Sequence, residues 1–142
     1  MSTTQVSSDK IRAYTATSYR LGHSDTDIIL KIGTVSPQVL ELFKNRQVTC
    51  GAFLTAFNPR GSQQLDAENE QAHARLVTEI VNLGLSFIEG SGSEEGTEWP
   101  TERSMFALGL GHAEAEQIGR LFDQDAIVWV GIEGVPQLIL LR

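Results

Sequence analysis

The chain has 142 residues, of which 41% are hydrophobic and 20% charged, with 18 acids against 11 bases and a single Cys. That length makes one domain, able to bury roughly 68–70% of the surface its unfolded form exposes without a disulfide or structural metal. A formal charge of −7 and a pI near 4.9 argue against a nucleic-acid backbone as partner, and one Cys excludes an intrachain disulfide.

The longest apolar runs, Ala126 to Ile132 and Leu138 to Leu141, fall far short of the ~20 residues that span a bilayer. The N-terminus lacks an apolar signal-peptide core, so a cytoplasmic protein with no membrane partner is expected. Residues 1–142 are read as a single domain whose first ten residues, small and polar, form a flexible N-terminus.

In chain order, Ile11 to Arg20 reads as a helix running into a strand, because it mixes helix-compatible Ala with Thr and Tyr. Thr26 to Ile32 is a strand. Ser36-Pro37 then signals a helix start, and Val39, Leu40 and Phe43 give the helix to Asn45 its apolar face. Thr49 to Phe57 is apolar on both faces, as a central strand covered on two sides would be, and Asn58-Pro59-Arg60-Gly61 stops it.

Asp66 to Leu83 is the strongest helix, with Asn69, Ala72, His73, Leu76, Ile80 and Leu83 recurring at three and four residues, and Gly84 follows as its stop. Leu85 to Ile88 is a short strand, and Gly90 to Arg103 a long Gly/Ser/Glu loop. Ser104 to Leu110 is a strand, and His112 to Phe122 a helix with Ala115, Ile118, Leu121 and Phe122 inward. Ala126 to Ile132 and Val135 to Leu141 form a hairpin about Glu133-Gly134.

This order predicts an α/β (or α+β) fold, with a single mixed sheet of about 5–6 strands, three main helices and a C-terminal β-hairpin. If the strand-helix-strand units cross over within one sheet, strands 26–32, 49–57 and 85–88 run parallel and end at one edge. That edge collects the Asn58 loop, the Gly90 loop, Phe122 to Asp125, and the helix starts at Ser36 and Asp66. Ligands of open α/β sheets gather outside strand ends of this kind.

Several motifs resolve to ordinary structure. Gly109-Leu110-Gly111-His112-Ala113-Glu114 follows a strand and opens a helix, but Glu114 and Glu116 repel phosphate and suit a helix start. His112-Ala113-Glu114 lacks the downstream Cys pair of a zinc deaminase. His23, His73 and His112 are dispersed, so neither a metal site nor a cofactor is expected. Cys50 reads as a packed residue of its apolar strand.

Two clusters carry functional weight. Glu89 to Glu102 holds five Glu and no base, accounting for five of the seven net negative charges. A solvated acidic loop explains the charge, but Trp99 within it must pack over a core edge, a ligand or a partner, and Glu102 adjoins the next strand. Asn58 and Arg60 offer a two-way amide and a planar cationic fork, though a self-bonded turn accounts for Asn58 equally well. Asn69, on an inward helix face, needs a partner that the Asn58 loop can supply.

These residues, as a set, resemble a bacterial family known as domain of unknown function 3293. The likeness lies in Ala13 to Tyr19, Leu54 to Pro59, Glu68-Asn69, the Gly-rich stretch to Trp99 and Glu102, and Phe122 to Ala126. The chain departs from the family's pattern at Phe57, where Trp is usual, and at Asp123, where Gly is usual. The family implies no activity, so the resemblance contributes distinctive positions rather than a mechanism.

The expected function is a binding module, not an enzyme, holding a small polar molecule or a protein partner at the sheet edge with Tyr14, Asn58, Arg60, Asn69, Trp99, Glu102 and Gln124. One alternative is a small hydrolase with Glu102 as general base and Asn58 or Arg60 stabilising negative charge. Another is an acidic inhibitor or immunity-like protein whose Glu89 to Glu102 segment faces a basic target.

Overall fold

The computed structural model describes residues 4–22, 28–93 and 101–142. Helix α1 (Ser8–Ala16) leads into β1 (Ser18–Leu21), followed by β2 (Ile28–Leu30), α2 (Pro37–Arg46) and β3 (Gly51–Leu54). After a tight turn at Pro59–Gly61 come α3 (Asp66–Asn82), β4 (Phe87–Ser93), β5 (Glu102–Leu108), α4 (His112–Leu121), β6 (Ala126–Val130) and β7 (Pro136–Leu140).

Local chemistry accounts for the main helix boundaries. Ser36 Oγ accepts from Val39 N at 3.1 Å, and Pro37 occupies the first turn of α2, where a missing N–H costs nothing. In α3 the inward stripe Asn69, Ala72, His73, Leu76 and Ile80 is buried. The expected stripe overruns at Leu83, which is exposed because the helix has ended one residue earlier. Leu121, expected inward on α4, is likewise exposed, while Ala115 and Ile118 are buried.

The seven strands form one sheet in the order β2-β1-β4-β5-β3-β6-β7, and every pairing is antiparallel. The expected mixed sheet of about 5–6 strands with three main helices is therefore corrected, among the described residues, to seven antiparallel strands and four helices. β2, β3 and β4 do run in the same direction, but other strands separate them in the sheet, and alternation rather than parallel pairing aligns them. Their C-terminal ends, with β5 and β6 starting beside them, make one edge of the sheet.

The expected loop from Gly90 to Arg103 is shorter than its composition suggests. β4 extends to Ser93, paired on both sides, with Gly92 opposite Tyr19 of β1 and opposite Glu102 of β5. Glycine is needed there, since a Cβ on Gly90 would lie 2.4 Å from the Arg20 carbonyl oxygen. The N-terminus is also better held than expected: Gln5 N donates to Arg142 O at 3.0 Å, Val6 is buried, and Ser7 caps α1 by accepting from Lys10 N.

Alternation along the strands sorts side chains onto two faces. Ala52, Leu54, Met105 and Ala107 pack against Ala72, Leu76 and Ile80 of α3 and Ala115 and Ile118 of α4. Tyr19, Phe53, Phe106, Leu108, Val128 and Val130 face the other way, against Val39 and Phe43 of α2. Gly33 N donates to Pro136 O at 2.9 Å and Ser36 N to Gly134 O at 2.8 Å. The segment after one edge strand thus meets the other edge strand, curling the sheet around α2. These bonds put Ser36 by the β6–β7 turn, at the end of the sheet opposite the expected site.

Candidate functional site

α2 fills only half of the curled face. Over the other half, α1 lies across the strand ends, and a cavity of about 500 Å³ opens between them, within the range of small-molecule sites. α1 turns Lys10, Ala13, Tyr14 and Thr17 toward it, a helical spacing of three and four. Tyr19, Phe53, Val128 and Leu138 form an apolar floor, where the Tyr19 and Phe53 rings meet edge to face at 5.1 Å. Gly92 leaves room in that floor: a Cβ there would sit 3.8 Å from Thr17 and Tyr19 and 3.9 Å from Phe53.

The polar end is built by the chain reversals at the sheet edge. Asn58 follows β3 with φ +48, a left-handed conformation that Asn tolerates better than most residues. Its amide oxygen and one of its side-chain N–H groups are directed. Asn58 N donates to Asn69 Oδ1 at 2.9 Å, Asn69 Nδ2 donates to Asn58 Oδ1 at 3.0 Å, and Asn58 Nδ2 donates to Glu102 Oε2 at 2.9 Å. Gln64 braces both, its N donating to Asn58 Oδ1 and its Nε2 to Asn69 Oδ1. Gln124 Nε2 donates to the carbonyls of Phe57 and Phe122 at 3.1 and 3.3 Å, closing the reversal before β6.

Asp125 anchors the helix over the cavity. Its side chain is 0% exposed; Oδ2 accepts from Lys10 Nζ at 3.0 Å and from Tyr14 Oη at 2.9 Å. Arg142 Nε lies 2.9 Å from Oδ1, a charge contact not aligned as a hydrogen bond. Tyr19 Oη reaches Tyr14 O at 2.5 Å. Burial pushes the Tyr14 phenol far up, and its bond to Asp125 and the charges of Asp125 and Glu102 add to that. Tyr19 is also raised by burial, against a lowering contact from Thr17 and with a further rise from Glu102. Both phenols stay neutral.

Of the residues expected from sequence, Tyr14, Asn58, Glu102 and Gln124 line this one cavity. Asn69 is 4% exposed and stands behind Asn58 as its brace rather than at the cavity wall. Arg60 is corrected: its guanidinium is 64% exposed and faces Asp123 at 3.9 Å, and only its backbone takes part, accepting from Lys10 Nζ. The reason is local, since Arg60 adopts φ +57 and donates its N–H to Asp123 O, which turns its side chain outward. Trp99 lies outside the described residues.

Lys10, Tyr19, Phe53 and Asp125 were missed. Lys10 sits in the segment expected to be flexible, and the apolar alternation of Phe53 reads as core. The one signal for Asp125 is its place immediately before an apolar strand, where an acid, if buried, needs partners.

On the opposite face, His73 is 2% exposed and its Nε2 lies 3.1 Å from Glu89 Oε2, while Arg103 Nε donates to Glu89 Oε1 at 2.9 Å and Arg103 Nη1 to Glu70 Oε2 at 2.5 Å. This network joins α3 to β4 and β5 away from the cavity. It also takes Glu89 out of the acidic segment as a surface charge. Cys50 stands just before β3, half-buried rather than in the core, its thiol pushed up by burial and by the charge of Glu114. Among the described residues no cluster of three His, Cys, Asp or Glu could hold a metal ion, and no helix is long and apolar enough to cross a membrane.

A family model described as a protein of unknown function, DUF3293, matches residues 54–127, a stretch that contains Asn58, Asn69, Glu102, Gln124 and Asp125. No curated protein and no solved structure matches the chain.

Proposed function

The chain belongs to the DUF3293 family, and from its geometry we propose that it is a binding module whose cavity between α1 and the sheet holds a small molecule, polar at one end. One observation carries this reading. Tyr14, Asn58, Glu102 and Gln124, from four separate stretches of chain, meet at one end of a cavity whose floor is apolar. An apolar enclosure with a few fixed polar groups is the usual form of a small-molecule site. The backbone supports it too. Among the described residues, Asn58, Arg60 and Asp123 are three of four non-glycine residues with positive φ, and all three sit at this edge, where strained conformations gather when a site is pre-organised.

A small molecule fits better than a protein partner because the polar groups face inward, over a concave surface. The hydrolase alternative needs a nucleophile or a water held against Glu102. The nearby hydroxyls of Thr55 and Ser104 instead donate to the Arg103 and Glu102 carbonyls. The same proposal puts the module in the cytoplasm.

The test is a metabolite screen by thermal unfolding on the wild type and on Gly92→Leu, which fills the floor. A true ligand at 100 times its Kd stabilises the wild type by about 2.7 kcal/mol. Gly92→Leu, folded, should lose that rise. Equal rises in both proteins, or turnover of a hit, would reject the reading.

A further inference from the structure

The cavity's hydrogen bonds determine which kind of polar group it can receive. A hydroxyl has one donor, and those of Tyr14, Tyr19, Thr55 and Ser104 are already engaged, on Asp125, Tyr14 O, Arg103 O and Glu102 O. Gln124 has both amide donations directed at backbone carbonyls, which leaves its Oε1 as the acceptor it offers. Asn58 Oδ1 is filled by Gln64 and Asn69. Lys10 is the one Lys or Arg among the described lining residues, and its ammonium is engaged by Asp125 and the Arg60 carbonyl, with one N–H remaining. Among these groups the polar end presents oxygen lone pairs and the Glu102 carboxylate more than donors, of which one N–H of Lys10 and one of Asn58 Nδ2 remain.

An anion would set lone pair against lone pair there. A group rich in N–H would meet acceptors on several sides. We propose that the ligand is a small organic amine, bound as its ammonium with the nitrogen at Glu102, Gln124 and the phenol oxygens, and its compact apolar body on Tyr19, Phe53, Val128 and Leu138. Burial is the main cause of the raised Tyr14 and Tyr19 phenols, and the Glu102 charge, with Asp125 at Tyr14, adds to it, so a further negative charge is disfavoured beside them. The net charge of −7 favours the approach of a cation.

This inference rests on the cavity being the binding site, so the probes are chosen to separate the two. They are 2-phenylethylamine, its neutral analogue 2-phenylethanol and the anion 3-phenylpropanoate, each titrated by NMR and calorimetry. The amine should bind about tenfold tighter than the alcohol, and the anion weakest. Glu102→Gln, which keeps an oxygen to accept from Asn58, should reduce amine affinity about tenfold and alcohol affinity by much less, since only the amine loses an opposite charge. Gly92→Leu should abolish binding of both, with Gly92→Ala as the milder variant if the first does not fold. Alcohol or anion binding as tightly as the amine, still blocked by Gly92→Leu, would overturn the amine and keep the cavity. No perturbation by any probe would overturn both.

Discussion

Asn58 and Asn69 are 6% and 4% exposed, and each amide completes the other. Burying such groups is tolerable only when they are bonded, and removal of one strands its partner. Asn58→Ala and Asn69→Ala should each cost about 2–3 kcal/mol in urea unfolding. The double variant should cost less than the sum by at least ~1 kcal/mol, since the second change removes a group the first has already orphaned. Strict additivity would show that the pair is not coupled. Glu89 behaves differently, because its effect depends on pH. Burial, the largest influence, pushes its carboxyl up, but His73 and Arg103 together outweigh it and the folded value lies below the usual one. A depressed folded pKa gives stability that is fully present above the unfolded pKa and disappears as pH falls through the folded value. Wild-type stability should therefore drop more steeply below about pH 4.5 than that of Glu89→Gln. Parallel pH profiles would exclude the network as a source of acid sensitivity.

Two glycines two residues apart on β4 answer to different neighbours. A side chain at Gly90 would strike the Arg20 carbonyl, which is backbone and cannot swing away, whereas Gly92 has ordinary contact distances. Gly90→Val should cost more than about 3 kcal/mol by prising β1 from β4; Gly92→Ala should leave stability within about 1 kcal/mol. Similar losses at both would mean that glycine is required for backbone flexibility, not for space. α1 is the other telling element, since none of its residues is fully buried and it is tied down by Lys10, Tyr14 and the Asp125 carboxylate. An element held by a few polar contacts opens below the global unfolding energy. Tyr14→Phe should raise amide exchange about tenfold across residues 8–16 and leave α3 unchanged. Faster exchange everywhere would show α1 to be integral to the core.

At the scale of the molecule, the sequence was legible where its periodicity and stop signals were local. The stripe of α3, the Ser36-Pro37 start and the hairpin at Gly134 need only neighbours a few residues away. The curl of the sheet and the antiparallel pairings of β4 were not legible, because Gly-Ser-Gly-Ser carries no apolar alternation and reads as loop until strands on both sides are known. The site was half legible for the same reason. Asn58, Glu102 and Gln124 stand out at chain reversals, whereas Lys10 and Asp125 become a pair only after the N-terminal helix folds over a strand 115 positions away. One sheet thus serves two cores, α3 and α4 on one face and α2 with the cavity on the other, so the proposed binding would be separate from the first core's stability. Leu76, fully buried on the inner face of α3, belongs to the first core. Leu76→Ala should lower unfolding stability by about 2–5 kcal/mol through the hole it leaves. Below the unfolding transition it should leave 2-phenylethanol affinity in the cavity unchanged, because the intact strands keep Tyr19 and Phe53 in place. A loss of affinity in parallel with stability would show that the two faces yield together, and that the cavity depends on packing across the sheet.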